Sequence, residues 1–304
     1  MEFHAEFIQI GQVQIRYYGI IIVTAMLVAA WAAARLAKRR GLDPDHIWGA
    51  LTWAIIPGII FARLWFVLFP PISAVAEGRD TAWYFQNFFD VNNGAIAIWS
   101  GGLSIFGAVI GGFLGAYIYM RRNKLEIPVW LDIAAVAMPL GQAIGRWANY
   151  VNQELYGLPT NLPWGISIDA AHRVGEYKSL VDYPVLETRF HPLFLYESLW
   201  SLLAFIVLYN IYTRYRNRLR NGDIVLLYIM QYSFIRFLLE FLRIEVAYLP
   251  GTEINSSQAI TALAFIGALV VFLYRRSRPV SAQEEKPAKA RKADVAKPAE
   301  EAAE

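Results

Sequence analysis

The sequence predicts an all-α, polytopic membrane protein with about seven transmembrane helices and a small outer head region. Three observations predict it. Of 304 residues, 57% are hydrophobic and 10 are Trp, and the mean hydropathy is +0.35, a balance too apolar for a water-soluble fold of this size. Several apolar runs reach the roughly 20 residues that a helix needs to cross a bilayer. Clusters of Arg and Lys recur at every second end of those runs, as the positive-inside rule requires of a cytoplasmic face. Cysteine is absent, which excludes disulfides, thiolate metal sites and a cysteine nucleophile supplied by the chain itself. The net charge of +3 carries little information, but its distribution argues against nucleic-acid binding, because the basic residues sit where topology needs them.

Hydropathy marks seven segments in order, at about 17–37, 47–69, 95–120, 129–150, 192–213, 223–242 and 256–274. Arg35, Lys38, Arg39 and Arg40 follow the first; Arg121, Arg122 and Lys124 follow the third. Arg214, Arg216, Arg218 and Arg220 follow the fifth, and Arg275, Arg276 and Arg278 the seventh. An N-out, C-in arrangement satisfies all four clusters. Residues 1–14 hold Glu2 and Glu6 but no Lys or Arg, unlike a cleavable signal peptide. The integral membrane domain is expected over 1–278. The Ala/Lys/Glu/Pro-rich stretch 279–304 reads as a disordered cytoplasmic tail. Two outer loops are long. Loop 70–94, with Trp83, Tyr84, Phe85, Phe88 and Phe89, suits the membrane interface; loop 152–191, with a β-prone piece at 164–168, is expected to form the outer head.

Four segments carry residues with chemical potential. In the third, Gly107, Gly111 and Gly115 recur every four positions and share a helix face that permits close backbone approach. Gly101 and Gly102 either break that helix or offer backbone amides to an anion. In the fourth, Asp132, Gln142, Arg146 and Asn149 are spaced by 10, 4 and 3, one polar stripe at helical periodicity, with Pro139 expected to kink the helix beside it. The fifth opens with His191 and Pro192 and carries Glu197 about two turns in. In the sixth, Tyr228, Tyr232, Arg236, Glu240 and Arg243 follow at 4, 4, 4 and 3, so Glu240 lies between two arginines and partners only one of them fully. Structural ion pairs that fix helix packing are one reading of these stripes. A shared wet cavity is the other, in which a guanidinium left without a full partner forks onto phosphate oxygens. Its depth in the bilayer points to a phospholipid, a phosphate with apolar tails.

The stretch Gly145-Arg146-x-Ala148-Asn149-Tyr150-x-Asn152-x-Glu154-x-x-Gly157 resembles the signature of bacterial prolipoprotein diacylglyceryl transferases. Ile15-Arg16-Tyr17-Tyr18-Gly19, Ser100 to Gly112, His191 to Glu197 and Arg236-Phe237-x-x-Glu240-Phe241-x-Arg243 resemble four further motifs of that family in the same order. The resemblance implies transfer of diacylglycerol from phosphatidylglycerol to the lipobox cysteine of a prolipoprotein, with a thioether formed and glycerol phosphate released. It implies that Arg146 and Arg236 hold the lipid phosphate, that Asn149, Glu154 and Gly157 shape the site, and that Tyr18, Tyr232, Glu240 and Arg243 support it. Phosphatidylglycerol, membrane lipid and the signal-peptide lipobox segment are the partners implied, at the bacterial cytoplasmic (inner) membrane with the active site toward the outer face. Neither metal nor cofactor is required on this account, and the nucleophilic thiolate comes from the substrate.

One position departs from the family pattern. Phe106 stands where many members carry a histidine, and it cannot take a proton. A protein base, if one acts, is then His191, Glu197 or a tyrosine; the alternative is that the field of the arginines ionises the thiol. A catalytically silent phospholipid-binding relative and a lipid or anion carrier are the competing readings of the same cavity.

Overall fold

Nine α-helices and one small sheet are present among the residues that the computed structural model describes, 2–3, 6–11, 13–249 and 251–278. The expected tail from 279 onward lies outside them. Strands β1 (Glu2–Phe3), β2 (Phe7–Ile10) and β3 (Val13–Arg16) form an antiparallel sheet in that order, Phe7 opposite Arg16 and Ile10 opposite Val13. The helices are α1 (Tyr17–Arg39), α2 (Asp45–Leu68), the short α3 (Ile72–Ala76) and α4 (Thr81–Gln86), then α5 (Ile105–Arg122), α6 (Ile127–Val151), α7 (Leu193–Arg214), α8 (Asp223–Leu239) and α9 (Ser256–Ser277). Six of them are long and apolar enough to cross a membrane, with α8 extended to Leu242 by a 3₁₀ turn. Large apolar side chains such as Ile56, Ile60, Leu263 and Ile266 are exposed along these helices, a surface that only lipid covers favourably. The chain is a polytopic, mostly helical membrane protein.

The third expected segment is the one whose bounds change. Helix α5 starts ten residues later than the hydropathy predicts, at Ile105, and runs for 18 residues into Arg121 and Arg122. A 3₁₀ turn at Ile98–Ser100 precedes it, and Gly101 (φ 92°) and Gly102 (φ 69°) adopt left-handed conformations, which side-chain-bearing residues rarely do. These two glycines break the helix.

The chain divides into two compact units, residues 26–137 and residues 1–25 with 138–304. In the first of these, α2 packs along α5 through the glycine face. A Cβ on Gly107, Gly111 or Gly115 would lie 2.1, 2.2 or 2.1 Å from the carbonyl oxygen of Phe61, Pro57 or Trp53. The spacing thus does what close backbone packing requires. Arg63 of α2 is only 6% exposed. Its guanidinium donates to the carbonyls of Gly94 (2.6 Å), Ala95 (2.8 Å), Gly101 (2.7 Å) and Gly102 (3.0 Å), which converts a charge deep in an apolar helix pair into the clasp of the loop before α5. Within loop 70–94, Phe85, Phe88 and Phe89 are exposed as an interfacial surface requires, whereas Tyr84 is buried against Val67 and Ala95.

In the other unit α8 packs on α7 and on α9. Asp223, fully buried at the start of α8, pairs with Arg276 (3.0 Å) and Arg275 (3.5 Å) from the last turn of α9, charges placed as both helix dipoles favour. Residues 152–191 fold around Tyr156, Ile168, Tyr177 and Phe190. This head has its own core, stitched by isolated bridges at Pro159–Phe190 and Ile166–Phe190 and by two 3₁₀ turns. The sheet β1–β3 was not anticipated by hydropathy. It meets the head through Glu6, whose carboxylate lies 3.0 Å from His172 Nε2.

Candidate functional site

The polar residues of α6 from Gln142 onward, with those of α7 and α8, lie in the unit formed by residues 1–25 and 138–304, whereas Asp132 of the same stripe is fully buried in the other unit. Glu197, 7% exposed on α7, is the centre. Its Oε2 lies 2.5 Å from Arg146 Nη2 of α6, and its Oε1 accepts from Arg236 Nη1 of α8 at 3.4 Å. Arg236 also donates to Glu240 at 2.9 Å, one turn further on, and Arg243 lies 3.9 Å from the same Glu240 oxygen. The result is a ladder, Arg146–Glu197–Arg236–Glu240–Arg243, with alternating sign. Two of its carboxylates, those of Glu197 and Glu240, are buried. Among the described residues each arginine keeps N–H donors beyond these contacts, and their side chains stay between 14% and 24% exposed.

Asn149 follows Arg146 by three residues and therefore shares its helix face. Its Oδ1 lies 3.5 Å from Arg146 Nη1, and its Nδ2 donates to Glu154 at 2.8 Å. Helix α6 ends at Val151, and the chain reverses through Gln153 (φ 48°) and Leu155 (φ 57°). Two left-handed non-glycine residues cost about 1–3 kcal/mol each, and they place the Glu154 carboxylate back over the helix that it has just left. Tyr18, in the first turn of α1, is within electrostatic reach of both Glu154 and Arg146.

Gly157 joins the pieces at backbone level. It donates to the His191 carbonyl (2.9 Å) and bridges to Arg243, while Leu158 donates to the Leu242 carbonyl (2.8 Å). A Cβ at Gly157 would stand 2.8 Å from Leu242 O and 2.9 Å from His191 Cβ, so no larger residue fits without moving one of these strands. His191 Nδ1 lies 3.1 Å from the Tyr196 hydroxyl, which accepts from Trp164 Nε1 at 2.8 Å. Trp164, Tyr196 and His191 thus form one hydrogen-bonded chain. Burial holds the His191 imidazole below the ordinary histidine pKa, so it is neutral at pH 7.

Deeper along the same helices, Gln142 Nε2 donates to the Tyr228 hydroxyl at 2.8 Å, and the Tyr228 and Tyr232 rings stack at 6.1 Å. On the head side, a cavity of about 330 Å³ is bordered by Glu154 and Arg243 together with Asn152, His172 and Glu245. Thus Arg146, Asn149, Glu154, Gly157, Glu197, Arg236, Glu240 and Arg243 belong to one connected constellation, which His191 joins through its backbone carbonyl and Tyr18 through charge, while Tyr232 stacks on Tyr228 beside it. Gly101, Gly102 and Phe106 belong to the other unit. There the carbonyls of the two glycines accept from Arg63, and Phe106 is exposed beside Trp65. Arg63 and Trp164 carry functions that the sequence pattern did not mark, whereas Tyr196 lies inside the motif that opens the fifth span. A lone arginine inside an apolar span was the available signal for the first.

Comparison with known proteins adds to this geometry. The profile of the family described as prolipoprotein diacylglyceryl transferase matches residues 5–274. Similar chains include the phosphatidylglycerol–prolipoprotein diacylglyceryl transferase of Chloroflexus aggregans, 38% identical over 277 residues and 86% of each chain. That of Pediococcus pentosaceus is 37% identical over 269 residues and 88% of each chain, and that of a Nostoc species 36% over 278 residues and 90% of each.

Proposed function

Because the chain belongs to the prolipoprotein diacylglyceryl transferase family, we propose that it transfers the diacylglyceryl group of phosphatidylglycerol to the lipobox cysteine of a prolipoprotein. The observation that carries the site assignment is the Arg146–Glu197–Arg236 bridge: one buried carboxylate holds guanidinium groups from two helices side by side, with donors to spare.

The reaction suits such a site. The cysteine thiolate attacks the glycerol carbon that bears the phosphate; a carbon–sulfur bond forms as the carbon–oxygen bond breaks, and the electron pair goes to the departing phosphate oxygen. The leaving group becomes a phosphate monoester whose negative charge grows in the transition state. Preorganised donors aimed at that charge are the dominant form of assistance for such chemistry. Arg146 and Arg236 supply them, and forked guanidinium groups match phosphate oxygens better than point charges would. Glu197 is a positioning residue: one carboxylate oxygen meets Arg146 and the other meets Arg236, which fixes the two guanidiniums relative to each other. The nearby guanidinium groups of Arg146 and Arg236 favour the thiolate over the thiol, whose ordinary pKa is about 8.5, so position 106 needs no histidine. Asn149, Glu154 and Gly157 hold the turn over Arg146, and Tyr18, Glu240 and Arg243 complete the wall.

The alternating basic clusters support an N-out, C-in arrangement in the bacterial cytoplasmic membrane, with seven spans, residues 152–191 and the arginine ladder toward the outer face and the tail from 279 inside. Exported precursors would meet the enzyme on that side. The test is direct. Purified protein in detergent, given phosphatidylglycerol and a lipobox peptide, yields a diacylglyceryl-peptide and free glycerol phosphate by mass spectrometry, and the product is lost with a Cys→Ser peptide. Lipid bound without product would overturn the reading in favour of a silent lipid-binding relative.

A further inference from the structure

Two polar groups on the arginine-bearing helices are left over by the phosphate clamp, Gln142 and Tyr228. Gln142 lies four residues before Arg146 on α6, and Tyr232 and Tyr228 lie four and eight residues before Arg236 on α8. At 1.5 Å per residue Gln142 and Tyr232 sit about 6 Å, and Tyr228 about 12 Å, along their helices from the arginine positions, on the side away from residues 152–191. The Gln142 amide donates to the Tyr228 oxygen at 2.8 Å, so the phenol proton of Tyr228 is free to point elsewhere. The Tyr228 and Tyr232 rings stack at 6.1 Å with only 10° between their planes, which aligns the two phenols as neighbouring donors. Gln142 Oε1 is buried, and among the described residues it has no hydrogen-bond partner. That oxygen only accepts, so the group here that can meet another acceptor is the Tyr228 hydroxyl, held in place by the Gln142 amide.

A diacylglycerophospholipid has polar atoms at that depth. Its ester carbonyls are attached a few bonds below the phosphate, they accept hydrogen bonds and cannot donate, and they lie between the headgroup and the tails. We propose that Tyr228, oriented by Gln142 and seconded by Tyr232, binds the ester carbonyls of the lipid whose phosphate is held by Arg146 and Arg236. This inference rests on the transferase reading for the identity of the lipid, but it concerns a separate property: selection of an ester-linked glycerolipid over its ether-linked analogue. The diether lacks only the carbonyl oxygens, keeping phosphate, headgroup and tails.

The experiment uses full-length protein in detergent with equal amounts of diester and diether phosphatidylglycerol. Lipid retention is read by native mass spectrometry and thioether formation on a lipobox peptide is read in parallel. The wild type retains the diester over the diether by roughly fivefold, the value of about one hydrogen bond. Tyr228→Phe, which removes one oxygen and preserves the ring stack, brings that ratio close to one, and Gln142→Leu lowers it in the same direction. If Gln142→Leu fails to accumulate, Tyr228→Phe decides alone. An unchanged diester preference in Tyr228→Phe, or no preference in the wild type, overturns the inference. Absence of thioether with an intact, Tyr228-dependent ester preference would instead count against the transferase reading and leave the ester site standing.

Discussion

At the scale of single residues, most of the site is built from pairs whose partners lie far apart in sequence. Glu197 accepts from arginines on two other helices, and removal of one member of a buried ion pair costs about 3–5 kcal/mol because the other charge is stranded. His191 behaves differently. It is neutral, partly buried and tied to Tyr196. Its folded-state pKa lies below the unfolded value of about 6.5, so folding favours its neutral form. The associated stability is fully present above pH 6.5 and is lost as pH falls toward the folded pKa. Thermal unfolding of the detergent-solubilised protein between pH 7.5 and 5 is expected to show this decline, with a shallower pH slope in His191→Asn. Equal slopes would mean that His191 does not carry the effect.

At the scale of elements, glycine placement decides how α2 and α5 meet. Gly111→Ala forces a Cβ to within 2.2 Å of the Pro57 carbonyl, an overpacking that costs about 1–3 kcal/mol. Gly267→Ala on α9 meets nothing within 4 Å and is expected to be neutral or to stabilise by up to about 1 kcal/mol through helix propensity. Comparing the unfolding midpoints of the two variants checks the assignment. The glycine spacing was legible in the sequence because a four-residue repeat maps onto one face of a helix. The start of α5 was missed by hydropathy, which sums over Ala95 to Ser104, but the glycine pair offered it: a break at Gly101 and Gly102 was one of the two readings, and both adopt positive φ. The N-terminal sheet was missed for a related reason: Phe7-Ile8-Gln9-Ile10 and Val13-Gln14-Ile15-Arg16 are each only four residues long, too short to register beside spans of twenty. Arginine and glutamate stripes on α6 and α8 were legible as helical periodicity. That Glu197 bridges the two helices was not, because which carboxylate answers which guanidinium is settled by tertiary packing.

At the scale of the whole molecule, the proposed topology makes a prediction that the absence of cysteine renders clean. Leu186→Cys lies on the exposed surface of the head, and Ser277→Cys lies at the end of α9. A membrane-impermeant maleimide applied to intact spheroplasts should label the first and leave the second untouched until the membrane is opened. The reverse pattern would invert the orientation and place the arginine ladder toward the cytoplasm. The ladder, the turn through Glu154 and the Gly157 junction are all contained in one of the two compact units, assembled from residues 1–25 and 138–304. The basic cluster after the seventh span has a second use there. Arg275 and Arg276 close on Asp223, so charges that mark the membrane side also fasten α9 to α8.

The central claim is that Arg146 and Arg236 together hold the phosphate of the reacting lipid. Its most direct test is single-turnover thioether formation by Arg146→Ala and Arg236→Ala, each purified at wild-type yield and assayed with saturating phosphatidylglycerol and lipobox peptide. The account predicts that each variant loses at least roughly 10²–10³-fold in rate while remaining folded in detergent. Thioether formation at close to the wild-type rate by either one would contradict it.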